Sequence, residues 1–207
     1  EENAVMGLLR DRMLCNVSTI ADGKEMGDPT ETALINLGAT IGVSYEDVRR
    51  IMPRVSEIPF DSDRKLMSTF NSYEQGSAGG GSCIRMITKG AVDVLLDRVS
   101  SIRTADGVRE ITQDDISAIE QCNRDFSENG LRVLAFAYRD VASVENVSLD
   151  DEDDMTFLGL ISMMDPPRKE SADAVAECIE AGIKPVMING EQKITAAAIA
   201  RKIGIMK

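Results

Sequence analysis

Residues 54–91 read RVSEIPFDSDRKLMSTFNSYEQGSAGGGSCIRMITKGA, and the alternation of β-prone and turn-prone residues in this stretch decides the fold class. Arg54 to Phe60, Leu66 to Tyr73 and Ile84 to Thr88 are short, β-prone and bounded by turn residues, which predicts three strands. Between the last two lies Gly76-Ser77-Ala78-Gly79-Gly80-Gly81-Ser82, which reads as a flexible hairpin tip. Its functional alternative is a phosphate-cradling loop, but the GxxxxGK[ST] pattern is absent.

Upstream of this stretch the pattern is helical. Val5, Leu8, Leu9 and Met13 share one helical face. Asp28 caps a helix with Pro29 in its first turn and Glu31 at the capping-box position, running to near Gly42. Ser44 opens a short helix with Glu46 and Asp47 where the dipole favours them. Downstream, Ala91 to Val99 reads as helical, and Thr112-Gln113-Asp114-Asp115 starts a helix that Asn129-Gly130 stops. Arg132 to Tyr138 and Thr156 to Met163 are predicted strands, and the acidic run Asp150 to Asp154 between them reads as solvated charge. The end differs in character. A helix over Arg168 to Ala181 leads into Pro185-Val186-Met187-Ile188, an apolar run suited to a strand buried on both faces. Asn189-Gly190 then turns into a helix over Gln192 to Lys202. This order is the grammar of a parallel α/β layer, so a boundary is placed near Asp165, where Pro166-Pro167 is stiff.

Composition narrows the function. A net charge of −12 argues against nucleic acid as a partner, and any bound phosphate must meet locally placed cations. The scattered cysteines Cys15, Cys83, Cys122 and Cys178 form no CxxC pair and histidine is absent, which argues against zinc and for a reduced, intracellular setting. No run approaches the roughly 20 apolar residues that span a bilayer.

Several segments, in one order, resemble the P-type cation-transporting ATPases, particularly the calcium-pump branch. They are Asp28-Pro29-Thr30-Glu31-Thr32-Ala33-Leu34, Phe60-Asp61-Ser62-Asp63-Arg64-Lys65, Thr88-Lys89-Gly90-Ala91, Gly130-Leu131-Arg132, Asp165-Pro166-Pro167-Arg168 and Met187-Ile188-Asn189-Gly190. Any one is weak; the ordered set covers nearly the whole chain and is specific. The resemblance implies an α+β protein. Residues 1–162 would be a nucleotide-binding domain with a twisted antiparallel sheet flanked by helices. Residues 163–207 would be part of a phosphorylation domain with a haloacid-dehalogenase-like α/β fold.

The site residues follow from the same resemblance. Phe60 would stack on adenine, and Glu31 would accept from the adenine amino group. Lys65 and Lys89 would line the pocket, with Gly90 letting the backbone approach the ligand. Arg132 would reach the β-phosphate with its planar fork, and Arg168 would face the phosphates on the hinge side. Each has a plainer reading: a core phenylalanine, a capping-box glutamate, surface cations, a helix-start arginine. Asn189-Gly190-Glu191 stands where the family has Thr-Gly-Asp, so these residues would be accessory to the phosphoryl site. The implied cofactors are ATP and Mg²⁺, in a parent at the cytoplasmic face of a membrane.

Neither the Asp-Lys-Thr-Gly-Thr segment that the family phosphorylates nor its Gly-Asp-Gly-x-Asn-Asp loop occurs in the sequence. The expectation is therefore a fragment, catalytically incomplete alone, whose partners are the transmembrane, actuator and phosphorylation domains of the parent. Its tail would leave apolar surface uncovered and pack on the nucleotide domain or self-associate. Two rivals stand beside this reading. One is a phosphatase using Asp61-Ser62-Asp63 as a nucleophile pair; the other is a non-catalytic domain that binds a protein.

Overall fold

The computed structural model describes residues 8, 10–21, 24–74, 82–145, 147–164, 168–188 and 193–206. Two short antiparallel strands, β1 (Thr19–Ala21) and β2 (Lys24–Met26), form a ribbon apart from the main sheet. The main sheet holds β3 (Arg54–Asp61), β4 (Leu66–Glu74), β5 (Ser82–Gly90), β6 (Val99–Thr104), β7 (Gly107–Glu110), β8 (Arg132–Val141) and β9 (Met155–Met163) in the order β3-β4-β5-β8-β9-β6-β7.

The decisive stretch folds as its pattern predicts. β4 and β5 pair antiparallel in unbroken register from Leu66↔Gly90 to Glu74↔Ser82, so they are the arms of a hairpin. The glycine run between them falls on residues 75–81, outside the described residues. β3 pairs antiparallel with β4 and lies at the sheet edge, where Pro59 removes no ladder donor that a neighbour needs. β4 is buried from Leu66 through Asn71 without alternation, the signature of a strand covered on both faces. Against one face the segment Met13–Cys15 and the helix Tyr45–Ile51 pack, joining Met13, Leu14, Cys15, Val48 and Met52 to Met67, Ile87 and Tyr138. Arg85 pins β5 to β8 by a two-pronged bond to its cross-strand neighbour Asp140, at 2.8 and 2.9 Å, while its guanidinium lies 4.2 Å from the Tyr138 ring centroid.

The helix starts are local chemistry and come out as read. Asp28 accepts from Thr30 N at 2.8 Å, with Pro29 opening the helix Pro29–Thr40. Ser44 accepts from Asp47 N at 3.2 Å before Tyr45–Ile51. Helix Gln113–Glu128 begins where Thr112 and Asp115 exchange bonds.

Three expectations are corrected. The sheet is mixed, because β6 pairs parallel with β9. The long excursion between them supplies the crossover that parallel pairing needs. The helix read to Val99 stops at Leu96, and Val99 opens β6. Its β-branched Val99 and Ile102 take a pairing with β9 that no local pattern announces. Residues 183–188 form no strand; Val186 and Ile188 are 74% and 95% exposed. An apolar run becomes a strand only beside a partner, and no described strand pairs with it.

The chain divides into two compact units. One holds the described residues up to Ser117 together with Leu134–Ile161, and the other holds Ala118–Val133 with the described residues from Ser162 onward. In the second unit, helices Lys169–Glu180 and Lys193–Lys202 flank the irregular 183–188 segment, and Ile179, Ile183 and Val186 stay more than half exposed. Among the described residues no helix is long and apolar enough to cross a membrane.

Gly90 closes the β4–β5 ladder under a tight constraint. A Cβ there would sit 2.2 Å from Lys65 O and 2.6 Å from Leu66 Cδ2. The glycine therefore serves close strand packing at this point. Gly90→Ala is expected to destabilise the chain by about 3 kcal/mol, seen as a lower urea midpoint at unchanged slope.

Candidate functional site

Glu31 sits in the first turn of the helix Pro29–Thr40 and is 8% exposed. It does not close a capping box. Its Oε2 accepts from Val17 N at 3.0 Å, Ser18 N at 3.1 Å and Ser18 Oγ at 3.0 Å. Its Oε1 accepts from Lys89 Nζ. Lys89, at 7% exposure, is thus no surface cation; it projects from β5 to meet Glu31. Burial alone would raise the Glu31 pKa, but the charge of Lys89 and the bonds from Lys89, Val17 and Ser18 outweigh it and hold the carboxyl below its ordinary value.

The loop that feeds Glu31 is itself gripped from behind. Arg49 donates to Asn16 O at 2.8 Å and Ser18 O at 3.0 Å, and Arg54 donates to Leu14 O at 2.9 Å and Asn16 O at 2.6 Å. Asn16 adds a bond from its Nδ2 to Glu31 O at 2.7 Å. Carbonyls therefore turn to two arginines and N–H groups to one carboxylate, so the peptide dipoles of residues 16–18 run from cation to anion.

The β3–β4 turn carries the second group. Phe60, next to the last residue of β3, is 62% exposed, which overturns its reading as a core residue. Asp61 pairs with Leu66, and Leu66 with Gly90, so the Asp61 end of the turn lies two strands from β5, roughly 10 Å across the sheet, while its Lys65 end adjoins Gly90. Asp61 Oδ1 accepts from Asp63 N at 3.0 Å and Arg64 N at 2.8 Å, folding the turn around its own first residue. Lys65 is exposed and holds a left-handed φ of 57°, a conformation that costs a lysine about 1–2 kcal/mol.

Arg64, between Phe60 and Lys65, points inward. Its Nη1 bonds both carboxylate oxygens of Glu152, at 2.6 Å to Oε2, and its Nη2 donates to Pro59 O at 2.5 Å. Glu152 is fully buried and also accepts from Ser68 Oγ at 2.5 Å. The acidic run is therefore not uniformly solvated. Only its lone glutamate among aspartates hinted at a separate role, and that hint is faint.

The remaining expected residues are placed as follows. Arg132 opens β8, is exposed and belongs to the second unit. Arg168 is exposed at the start of the helix Lys169–Glu180. Asn189, Gly190 and Glu191 lie outside the described residues. The structure thus joins Glu31 to Lys89, and it sets Phe60, Lys65 and Gly90 at one end of β3, β4 and β5. The phosphatase alternative loses its footing, since Asp61 ends an antiparallel edge strand and its side chain is spent on the turn. Among the described residues no cluster of carboxylates or cysteines is placed to hold a metal ion.

Comparison with known proteins shows the family to which the chain belongs. Residues 4–170 match the family described as P-type ATPase, cytoplasmic domain N. "Calcium-transporting ATPase 1" of Lactococcus lactis is 42% identical over 201 residues, covering 96% of this chain and 22% of the relative. "Calcium-transporting ATPase 1" of Bacillus cereus is 40% identical over 199 residues, with the same coverage. "Potassium-transporting ATPase alpha chain 2" of Cavia porcellus is 32% identical over 211 residues, covering 93% of this chain and 20% of the relative. The chain spans about a fifth of the length of these curated relatives.

Two outcomes follow from the side-chain geometry. A depressed carboxyl pKa contributes stability above the unfolded value of about 4.3 and loses it as pH falls through the folded value. Glu31→Gln is therefore expected to be about 3 kcal/mol less stable at neutral pH and to show a shallower loss of urea midpoint on acidification below about pH 4.3. Lys65→Gly, which relieves the left-handed backbone, is expected to unfold at higher urea, with a gain of about 1 kcal/mol.

Proposed function

Because the chain belongs to the P-type ATPases as their cytoplasmic domain N, we propose that it binds ATP on behalf of a cation-transporting pump. In this reading residues 1–162 are the nucleotide-binding domain, and residues 163–207 are a portion of the phosphorylation domain with a haloacid-dehalogenase-like fold. The observation that carries the reading is Phe60. An aromatic ring 62% exposed at a strand end, beside an exposed lysine held in a strained turn, is unexplained by packing.

The residues present fit a nucleotide. The Phe60 ring offers a face for adenine, a contact worth about 1–3 kcal/mol for a base on an aromatic. Glu31 Oε1 is an acceptor for the adenine amino group, and Lys89 and Lys65 supply positive charge in a chain of net charge −12. Gly90 keeps Lys65 and Lys89 close by letting their strands approach. Arg132 is assigned to the β-phosphate, Arg168 to the hinge side, and Asn189, Gly190 and Glu191 to the surroundings of the phosphoryl group. Magnesium is assigned to the nucleotide phosphates, which supply oxygen ligands. The reaction itself, transfer of the γ-phosphoryl to an aspartate beyond this chain, belongs to the parent, and hinge closure would bring the phosphate in line. Calcium is the ion we assign, on the names of the bacterial relatives. The exposed apolar residues of the second unit are assigned to the remainder of the pump.

An ATP titration followed by amide NMR tests this. Saturable shifts at Phe60, Lys65, Lys89 and Arg132 are expected, with affinity about tenfold weaker in Phe60→Ala, the equivalent of about 1.4 kcal/mol. That variant removes an exposed ring and should leave the unfolding midpoint unchanged. A folded sample with no shifts at millimolar ATP would replace the nucleotide reading with that of a protein-binding domain.

A further inference from the structure

We propose that the buried Arg64–Glu152 ion pair is a positioning device for the proposed nucleotide site, holding the β3–β4 turn so that Phe60 and Lys65 are presented to solvent on either side of it. The inference rests on the nucleotide reading for its ligand, and on geometry for everything else.

Arg64 departs from its neighbours in the turn. Ser62, Asp63 and Lys65 are exposed, while the Arg64 side chain is 10% exposed and faces a glutamate that is 0% exposed. One guanidinium spans three places. It is fixed by both oxygens of Glu152 and donates at 2.5 Å to the carbonyl of Pro59, the residue before Phe60. The carboxylate it meets is anchored in turn. Ser68 Oγ of β4 donates to it at 2.5 Å and lies 2.8 Å from Thr88 Oγ1 of β5, while Arg98 donates at 3.0 Å to the Glu152 carbonyl. The turn is therefore tied to β4, to β5 and to the segment entering β9, through a contact between residues 88 positions apart.

A buried ion pair is poor evidence of stability, because apolar residues of the same shape often serve as well. What apolar residues could not do is grip the Pro59 carbonyl and fix the backbone on both sides of Phe60. The left-handed Lys65 needs such outside constraint, since local preference works against it. Arg64 is its immediate neighbour and Asp61 grips the turn from the other side. The pair thus acts on ATP binding through the placement of Phe60, without touching the ligand.

The test uses the full chain with Glu152→Gln, alone and combined with Phe60→Ala. In the ligand-free protein, Glu152→Gln is expected to shift or broaden the ring signals of Phe60, a change that general loss of stability would not cause in a folded sample. ATP affinity should fall about tenfold in the wild-type background and less than twofold when Phe60 is already alanine. Unchanged ring signals with unchanged affinity would overturn the proposal. So would an equal tenfold loss in the Phe60→Ala background, since the pair would then act elsewhere. If Glu152→Gln does not fold, Arg64→Lys takes the same measurements with the same criteria, because lysine keeps the charge opposite Glu152 and loses the second arm to Pro59. Absence of ATP binding by the wild type would sink the nucleotide reading alone; a ring shift in Glu152→Gln would still support the tether.

Discussion

A charge buried against a covered sheet is stabilised by contact with its opposite. β4 and β5 form such a sheet, and a buried ion pair meets each of its faces. Lys89 and Thr88 are neighbours on β5 and therefore point to opposite faces. On the Lys89 side the answer is Glu31, delivered by the first turn of a helix. On the Thr88 side it is Glu152, delivered by the connection into β9 and reached by Arg64. Beyond its cation Glu31 accepts three further hydrogen bonds and Glu152 one, which is the condition under which a buried pair is tolerated. The arrangement of helix, loop and turn around the central hairpin can be understood as the means of bringing those acceptors and donors into place.

This explains why the legible and illegible parts of the sequence divide as they do. The helix starts at Asp28, Ser44 and Thr112 are written in three or four consecutive residues, and so were the β4 and β5 arms. Their physics is local: a side chain satisfies a nearby N–H, or a β-branched run meets a turn. β6 is not announced because its parallel partner β9 lies some fifty residues on, and β7 depends in turn on β6, with which it pairs. Pro185 to Ile188 erred in the opposite direction. Its composition suits a buried strand, but strand formation depends on a neighbour that composition does not reveal.

The candidate site divides along the same line. Membership in the site came from short motifs, whereas the state of each residue came only from three dimensions. Phe60 and Lys65 had core and surface readings that sequence left open; one is exposed at a strand end and the other is held left-handed. Lys89 and Glu31 turned out to be one unit. The supporting residues Asn16, Arg49, Arg54, Ser68 and Glu152 carried no motif at all. Their roles are contacts between distant segments, and an arginine that grips carbonyls looks in sequence like any solvated arginine.

The Lys89–Glu31 pair has one more consequence. Glu31 Oε1 already has a donor in the ligand-free protein, so on the proposed reading an incoming amino group must share that oxygen with Lys89 or displace it. Displacement exchanges an ion pair for a bond from a neutral donor, so the contact adds little net grip. Such a site discriminates by shape and donor pattern while keeping its grip weak. On the proposed reading a built-in rival of this kind acts as a release spring, loaded whenever Lys89 is displaced.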